Sequence, residues 1–130
     1  MSNFTQLMVD IETLGTNTDA PVISIGAAYF DLKTKTIGPT FYMVCDVADQ
    51  IDTKTRFANA DTLKWWMGQS GAAKQVFKEG AKPTKKVLET FREWIMAQAG
   101  SNSRFTKKCF PWGNSNSFDL VILESMFKDY

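Results

Sequence analysis

A chain of 130 residues that is 44% apolar, with ten Phe and four Trp, has the size and the side chains for one core, and it holds no long apolar run able to span a bilayer. It contains no His, and Cys45 and Cys109 stand far apart outside any Cys-x-x-Cys spacing, which excludes a zinc site or a disulfide framework and leaves each thiol as a small buried apolar group. Net charge is only +1, but residues 1 to 73 carry five basic and eight acidic groups, whereas residues 74 to 108 carry nine basic and three acidic.

The opening MSNFTQ has no basic segment followed by an apolar stretch and a cleavage site, so a cytoplasmic protein is expected. Gln6 to Glu12 alternates, with Leu7, Val9 and Ile11 on one face and Met8, Asp10 and Glu12 on the other, which predicts a strand. Val22 to Phe30 predicts a second strand. Asp31 to Pro39 is polar turn chemistry, and Thr40 to Cys45 predicts a third, so that two hairpins make an antiparallel meander. The period then changes from two to 3.6. Asp61 can cap a helix whose Leu63, Trp66 and Met67 share an apolar face, with Gly71 near its end. Pro83 to Ala99 is the firmest helix, with Val87, Leu88, Phe91, Trp94 and Ile95 in one stripe and Gly100 as its stop. Lys108 to Trp112 predicts a short strand, Gly113 to Asn116 a turn, and Ser117 caps a last helix through Phe127. This order implies one α/β domain over residues 1–130, a mixed sheet flanked by helices.

Two-residue spacing puts Asp10 and Glu12 on the same face of the first strand, close enough to share a ligand. Two like charges there repel, and a hard divalent cation, Mg²⁺ or Mn²⁺, would relieve them through oxygen ligands; the plainer alternative is an edge strand facing solvent. Asp119 stands in the first turn of the last helix, where the helix dipole favours an acid whatever its role. Ile122, Leu123 and Met126, at offsets of three, four and seven, place it on the buried side, and a strand followed by a helix start beside the first strand brings it toward Asp10.

The stretches MVDIETLG and PVISIGAAYFD together resemble the first exonuclease motif of the DEDD superfamily, which includes proofreading exonucleases and ribonuclease T, and WGNSNSFDLVIL resembles the second. The intervening ADTLKWWM is similar to a phage and bacterial subgroup of exodeoxyribonuclease VIII-like enzymes and 3′→5′ exoribonucleases. The resemblance covers nearly the whole chain. It implies a ribonuclease H-like fold with a three-strand antiparallel meander plus a parallel strand, and a 3′→5′ exonuclease acting on single-stranded RNA or DNA with a 3′ end. It also implies two Mg²⁺ or Mn²⁺ ions held by Asp10, Glu12 and Asp119 as the catalytic carboxylates, with Thr13, Leu14 and the Gly15 backbone lining the terminal nucleotide pocket. If the chain is phage-encoded, it would work in the cytoplasm of a bacterial host.

The family's third motif, an Asp on a later helix preceded by a His or Tyr that acts as general base, is absent from these residues. The chain therefore reads as the N-terminal part of the full fold, C-terminally incomplete, with little activity of its own. The alternatives are an inactive nucleic-acid- or protein-binding module on the same fold, or completion by another chain; a homodimer is compatible with the sequence but not indicated by it. Adjacent Trp65 and Trp66 point about 100° apart on a helix, so Trp66 takes the core and Trp65 is left to stack on a base or to pack at the surface. Asn114 and Asn116 either build the turn or contact the substrate backbone, and the basic helix face either steers nucleic acid or is simply solvated.

Overall fold

The computed structural model describes residues 4–77, 80–99, 110–113 and 116–130. β1 (Gln6–Thr13), β2 (Val22–Asp31) and β3 (Thr36–Val44) form the antiparallel meander, and β4 (Phe110–Gly113) runs parallel to β1, giving the order β3-β2-β1-β4. β1 is thus internal in the strand order, but β4 pairs only with Gln6 to Val9, so Asp10 and Glu12 lie just past the end of β4 and are paired on the β2 side alone. The result is the mixed α/β sheet flanked by helices that the sequence implies, consistent with a ribonuclease H-like fold. No helix among the described residues is long and apolar enough to cross a membrane.

Alternation on β1 sorts the sheet into two faces. Leu7, Val9 and Ile11 pair with Tyr29, Ala27 and Ile25 of β2, and all six are buried against α4 (Thr84–Ala99) and α5 (Val121–Asp129). From α4 come Val87, Leu88 and Phe91, and from α5 Ile122, Leu123 and Met126, with Trp94 and Ile95 partly buried at the margin. The opposite face carries Met8, Asp10 and Glu12 on its exposed side. α4 packs on the far face of the sheet, and its Lys85, Lys86 and Arg92 are exposed.

Several boundaries differ from expectation for physical reasons. β3 begins at Thr36, not Thr40: Ala28 pairs with Thr40 and Phe30 with Ile37, so Gly38 and Pro39 together oppose Tyr29 in a bulge on an edge strand, where a missing N–H is tolerated. The six-residue α1 (Val47–Asp52), capped by Asp46, was not foreseen, having only Gln50 buried and no apolar stripe. α2 (Ala60–Met67) is capped by Asn59, and Asp61 sits in its first turn. Of its expected apolar face only Trp66 is buried, with Leu63 40% and Met67 76% exposed, since α2 touches the body along one narrow line. The helix ends at Gly68, and Gly71 instead opens α3 (Gly71–Lys74), capped by Ser70. Residues 116–120 wind as one π-helical turn ahead of α5, placing Ser117 inside the coil rather than before it. The expected Gly100 stop, Lys108 and Cys109 lie outside the described residues. Cys45 is buried, and burial pushes its thiol up to about 12, which makes it an inert small apolar group.

Buried polar groups tie the pieces together. Gln50 exchanges two hydrogen bonds with the Val22 backbone, accepting from its N–H at 2.8 Å and donating to its carbonyl at 2.8 Å, as a neighbouring strand would, and donates a third to Thr84 Oγ1 at 3.0 Å. Arg56 has a fully buried side chain ion-paired with Asp129 at 2.9 Å. Its Nε and Nη2 donate to the Ala20 carbonyl, Nη2 also to that of Thr18, and Nη1 to Ser125 Oγ. This guanidinium joins the β1–β2 loop to the end of α5.

Candidate active site

Parallel pairing of β1 with β4 decides where Asp119 falls. Val9 aligns with Gly113 at the end of β4, and the π-helical turn that carries Asp119 begins three residues later, at Asn116. Asp119 is 2% exposed, on the side that continues into Ile122, Leu123 and Met126, as the offsets predicted. Wide turns of this kind recur at functional sites because they re-aim a side chain without ending the helix.

The electrostatics record the convergence. Desolvation and then the Asp119 charge raise the Asp10 carboxyl above its ordinary range. Glu12 is raised by desolvation, then by Asp10, then by Asp119. Both strand acids are therefore raised in part by the charge of Asp119. Among the described residues, however, no three His, Cys, Asp or Glu side chains are gathered into a set that could hold a metal ion as they stand. The donor chemistry suits a hard divalent cation, being all carboxylate, and the mutual repulsion is what such an ion would relieve.

A cavity of about 380 Å³ opens against the two strand acids, lined by Asp10, Glu12, Ser24, Gly26, Tyr42, Trp65, Trp66, Ala73 and Val76. Trp66 is core, as expected: its indole N–H donates to the Thr13 carbonyl at 2.9 Å and pins α2 to the end of β1. Trp65, 57% exposed, meets Trp66 edge-on with centroids 5.1 Å apart and forms a wall of the cavity.

Thr13, Leu14 and Gly15 lie just beyond the acids but are buried and shape the loop from within. Thr13 Oγ1 donates to the Gly15 carbonyl at 2.6 Å, Leu14 packs with Ile23 and Trp66, and the Leu14 carbonyl accepts from the Asn59 N–H. A Cβ on Gly15 would stand 2.6 Å from Asn17 Oδ1 and 3.1 Å from the Ala20 Cβ, so a larger residue here would have to displace the Asn17 side chain and crowd Ala20. Asn114 lies outside the described residues. Tyr42, Gly26 and Ser24 were not foreseen as part of the site. They reach it through strand register, which a single strand's pattern does not reveal.

A family model described as the 3′-5′ exoribonuclease Rv2179c-like domain matches residues 5–130. No curated protein matches the chain. Among solved structures, the crystal structure of cell-death related nuclease 4 (CRN-4) is similar with a TM-score of 0.51 over 88% of this chain, at 12% identity. The chain spans 36% of that structure's length, and likeness at this identity concerns the fold.

Proposed function

The chain belongs to the 3′-5′ exoribonuclease Rv2179c-like family, a DEDD-type exonuclease family, and on that premise we propose that it is a divalent-metal-dependent nuclease removing mononucleotides from the 3′ end of single-stranded RNA or DNA. The reading is supported by Asp10 and Glu12, which share one face of β1 and line a cavity open to solvent, and by the buried Asp119, whose charge adds to the desolvation that raises both strand acids.

In this reading Asp10 and Glu12 hold Mg²⁺ or Mn²⁺ from the strand side and Asp119 from the helix side. Such ions supply the electrophilic clamp on the attacking water and the leaving 3′ oxygen. The protein's part is positioning. The antiparallel pairing of β1 with β2 fixes the two strand acids; Ile122, Leu123 and Met126 anchor the helix that aims Asp119; Trp65 offers a ring on which any base can stack. Thr13, Leu14 and the Gly15 backbone set the shape of the wall against which the terminal nucleotide rests. The 130 residues hold no His, and no Tyr-preceded Asp supplies a third motif, so we propose that the chain as it stands binds metal and strand better than it cleaves.

Incubating the full-length protein with Mn²⁺ and a 5′-labelled single strand tests the reading. A ladder shortening from the 3′ end, lost in Asp119→Asn, is expected. Metal-independent binding with no shortening would instead identify a catalytically silent binding module on the same fold.

A further inference from the structure

The strand register sets Tyr42 directly across the sheet from the acids. Asp10 pairs with Gly26, and Gly26 pairs with Tyr42, so the three form one row over β1, β2 and β3. Strands lie about 4.8 Å apart, and the even-numbered side chains in this row share the face on which Asp10 stands. Gly26 places no side chain between Asp10 and Tyr42 in this row.

Backbone contact does not require that glycine. A Cβ at position 26 would meet the Asp10 carbonyl oxygen at 3.7 Å and Tyr42 Cδ1 at 3.8 Å, both ordinary distances, and its backbone is not in the left-handed region. The second distance places the near edge of the Tyr42 ring beside Gly26. Tyr42 is 57% exposed and lines the cavity together with Asp10, Glu12 and Trp65. Tyr42, more than half in water on an edge strand, is not part of the buried core.

We propose that Tyr42 is a substrate-positioning residue whose ring stacks on the base of one of the two nucleotides flanking the scissile phosphate, beside Gly26. The proposal rests on the nuclease reading of the site. Trp65 and Tyr42 then present aromatic faces from different elements, α2 and β3, around the same pair of acids. Stacking of this kind is tolerant of sequence, because every base offers a π face, and it acts on binding more than on the chemical step.

The test compares the full-length wild type, Tyr42→Ala, Tyr42→Phe and Gly26→Val by fluorescence anisotropy in Mn²⁺, with 5′-labelled single strands whose last linkages are phosphorothioates that resist cleavage. One strand is intact, and two carry an abasic residue at the last or the next-to-last position. Tyr42→Ala should bind the intact strand roughly tenfold more weakly, within the range seen on removing one base–aromatic stack. Tyr42→Phe should bind like wild type, and Gly26→Val should lose affinity with its thermal midpoint unchanged. The Tyr42→Ala loss should disappear on one of the two abasic strands. An equal loss on all three strands, or none on the intact one, overturns the proposal alone. A wild type that binds none of the strands overturns both the proposal and the nucleic-acid reading beneath it.

Discussion

Asp10→Asn should cut the exonuclease activity of the full-length protein by on the order of 10²- to 10³-fold, yet raise the thermal midpoint of the metal-free protein at neutral pH. The two effects share one cause. Asp10 sits on the site face with its carboxyl raised by desolvation and by the charge of Asp119, so its ionised form is disfavoured in the folded state until a cation arrives. An acid whose folded pKa lies above its unfolded value binds more protons in the native state between the two. Stability therefore declines as pH climbs through the ordinary Asp value of 3.8 and levels off above the raised one. Melting curves in chelator should show Asp10→Asn and wild type alike below that window and the variant ahead above it. Adding Mn²⁺ should reverse the order, since a ligand bound only by the native wild type stabilises it by mass action. Identical midpoints at neutral pH in chelator would show that the acids do not strain one another.

Arg56→Met should produce the largest loss of stability in the molecule, about 3 to 5 kcal/mol, a sizeable share of the 5 to 15 kcal/mol typical of a domain. The Arg56 side chain is fully buried and its N–H groups are all directed at partners: the Ala20 and Thr18 carbonyls, Ser125 and Asp129. Methionine fills the volume but strands the buried Ala20 carbonyl and removes the partner of the Thr18 carbonyl, Ser125 and Asp129. Arg56→Lys keeps the charge without the planar fork, so it should recover only part of the loss. Asp129→Asn should cost less than either, because the Asp129 side chain is 34% exposed and water can replace the contact. Urea unfolding of the four proteins gives this ranking directly. A loss below about 1 kcal/mol for Arg56→Met would mean that the loop and α5 hold together without it.

The contrast between these two residues marks what sequence could and could not disclose. Asp10 and Glu12 were legible because strand period alone puts both on one face, and Asp119 because the apolar residues at offsets of three, four and seven fix its side of the helix. Those patterns are local, and the burial they imply is observed. Arg56 and Gln50 belong to no periodic pattern, and a polar residue in a loop or short helix reads as solvent-exposed until its distant partners are known. Tyr42 was hidden for a related reason: its place beside Asp10 depends on the pairing of three strands and on the bulge at Gly38 and Pro39. The same bulge explains why β3 starts earlier than its turn-rich sequence suggested. In α2, helical spacing correctly separated Trp65 from Trp66 but could not show how little of the helix is covered, which left Leu63 and Met67 in water. Family resemblance reached the fold and the nuclease class. The residues that shape the cavity came from the coordinates.

Manganese capture tests the central claim most directly. Titrating Mn²⁺ into the full-length protein and following the free-ion signal by electron paramagnetic resonance should show the wild type taking up the ion and Asp10→Asn and Asp119→Asn each releasing it. Glu124→Gln, altering an exposed acid paired with Lys128 on α5, should take it up as the wild type does. Uptake undiminished in both Asp10→Asn and Asp119→Asn would contradict the assignment of these carboxylates to a metal centre.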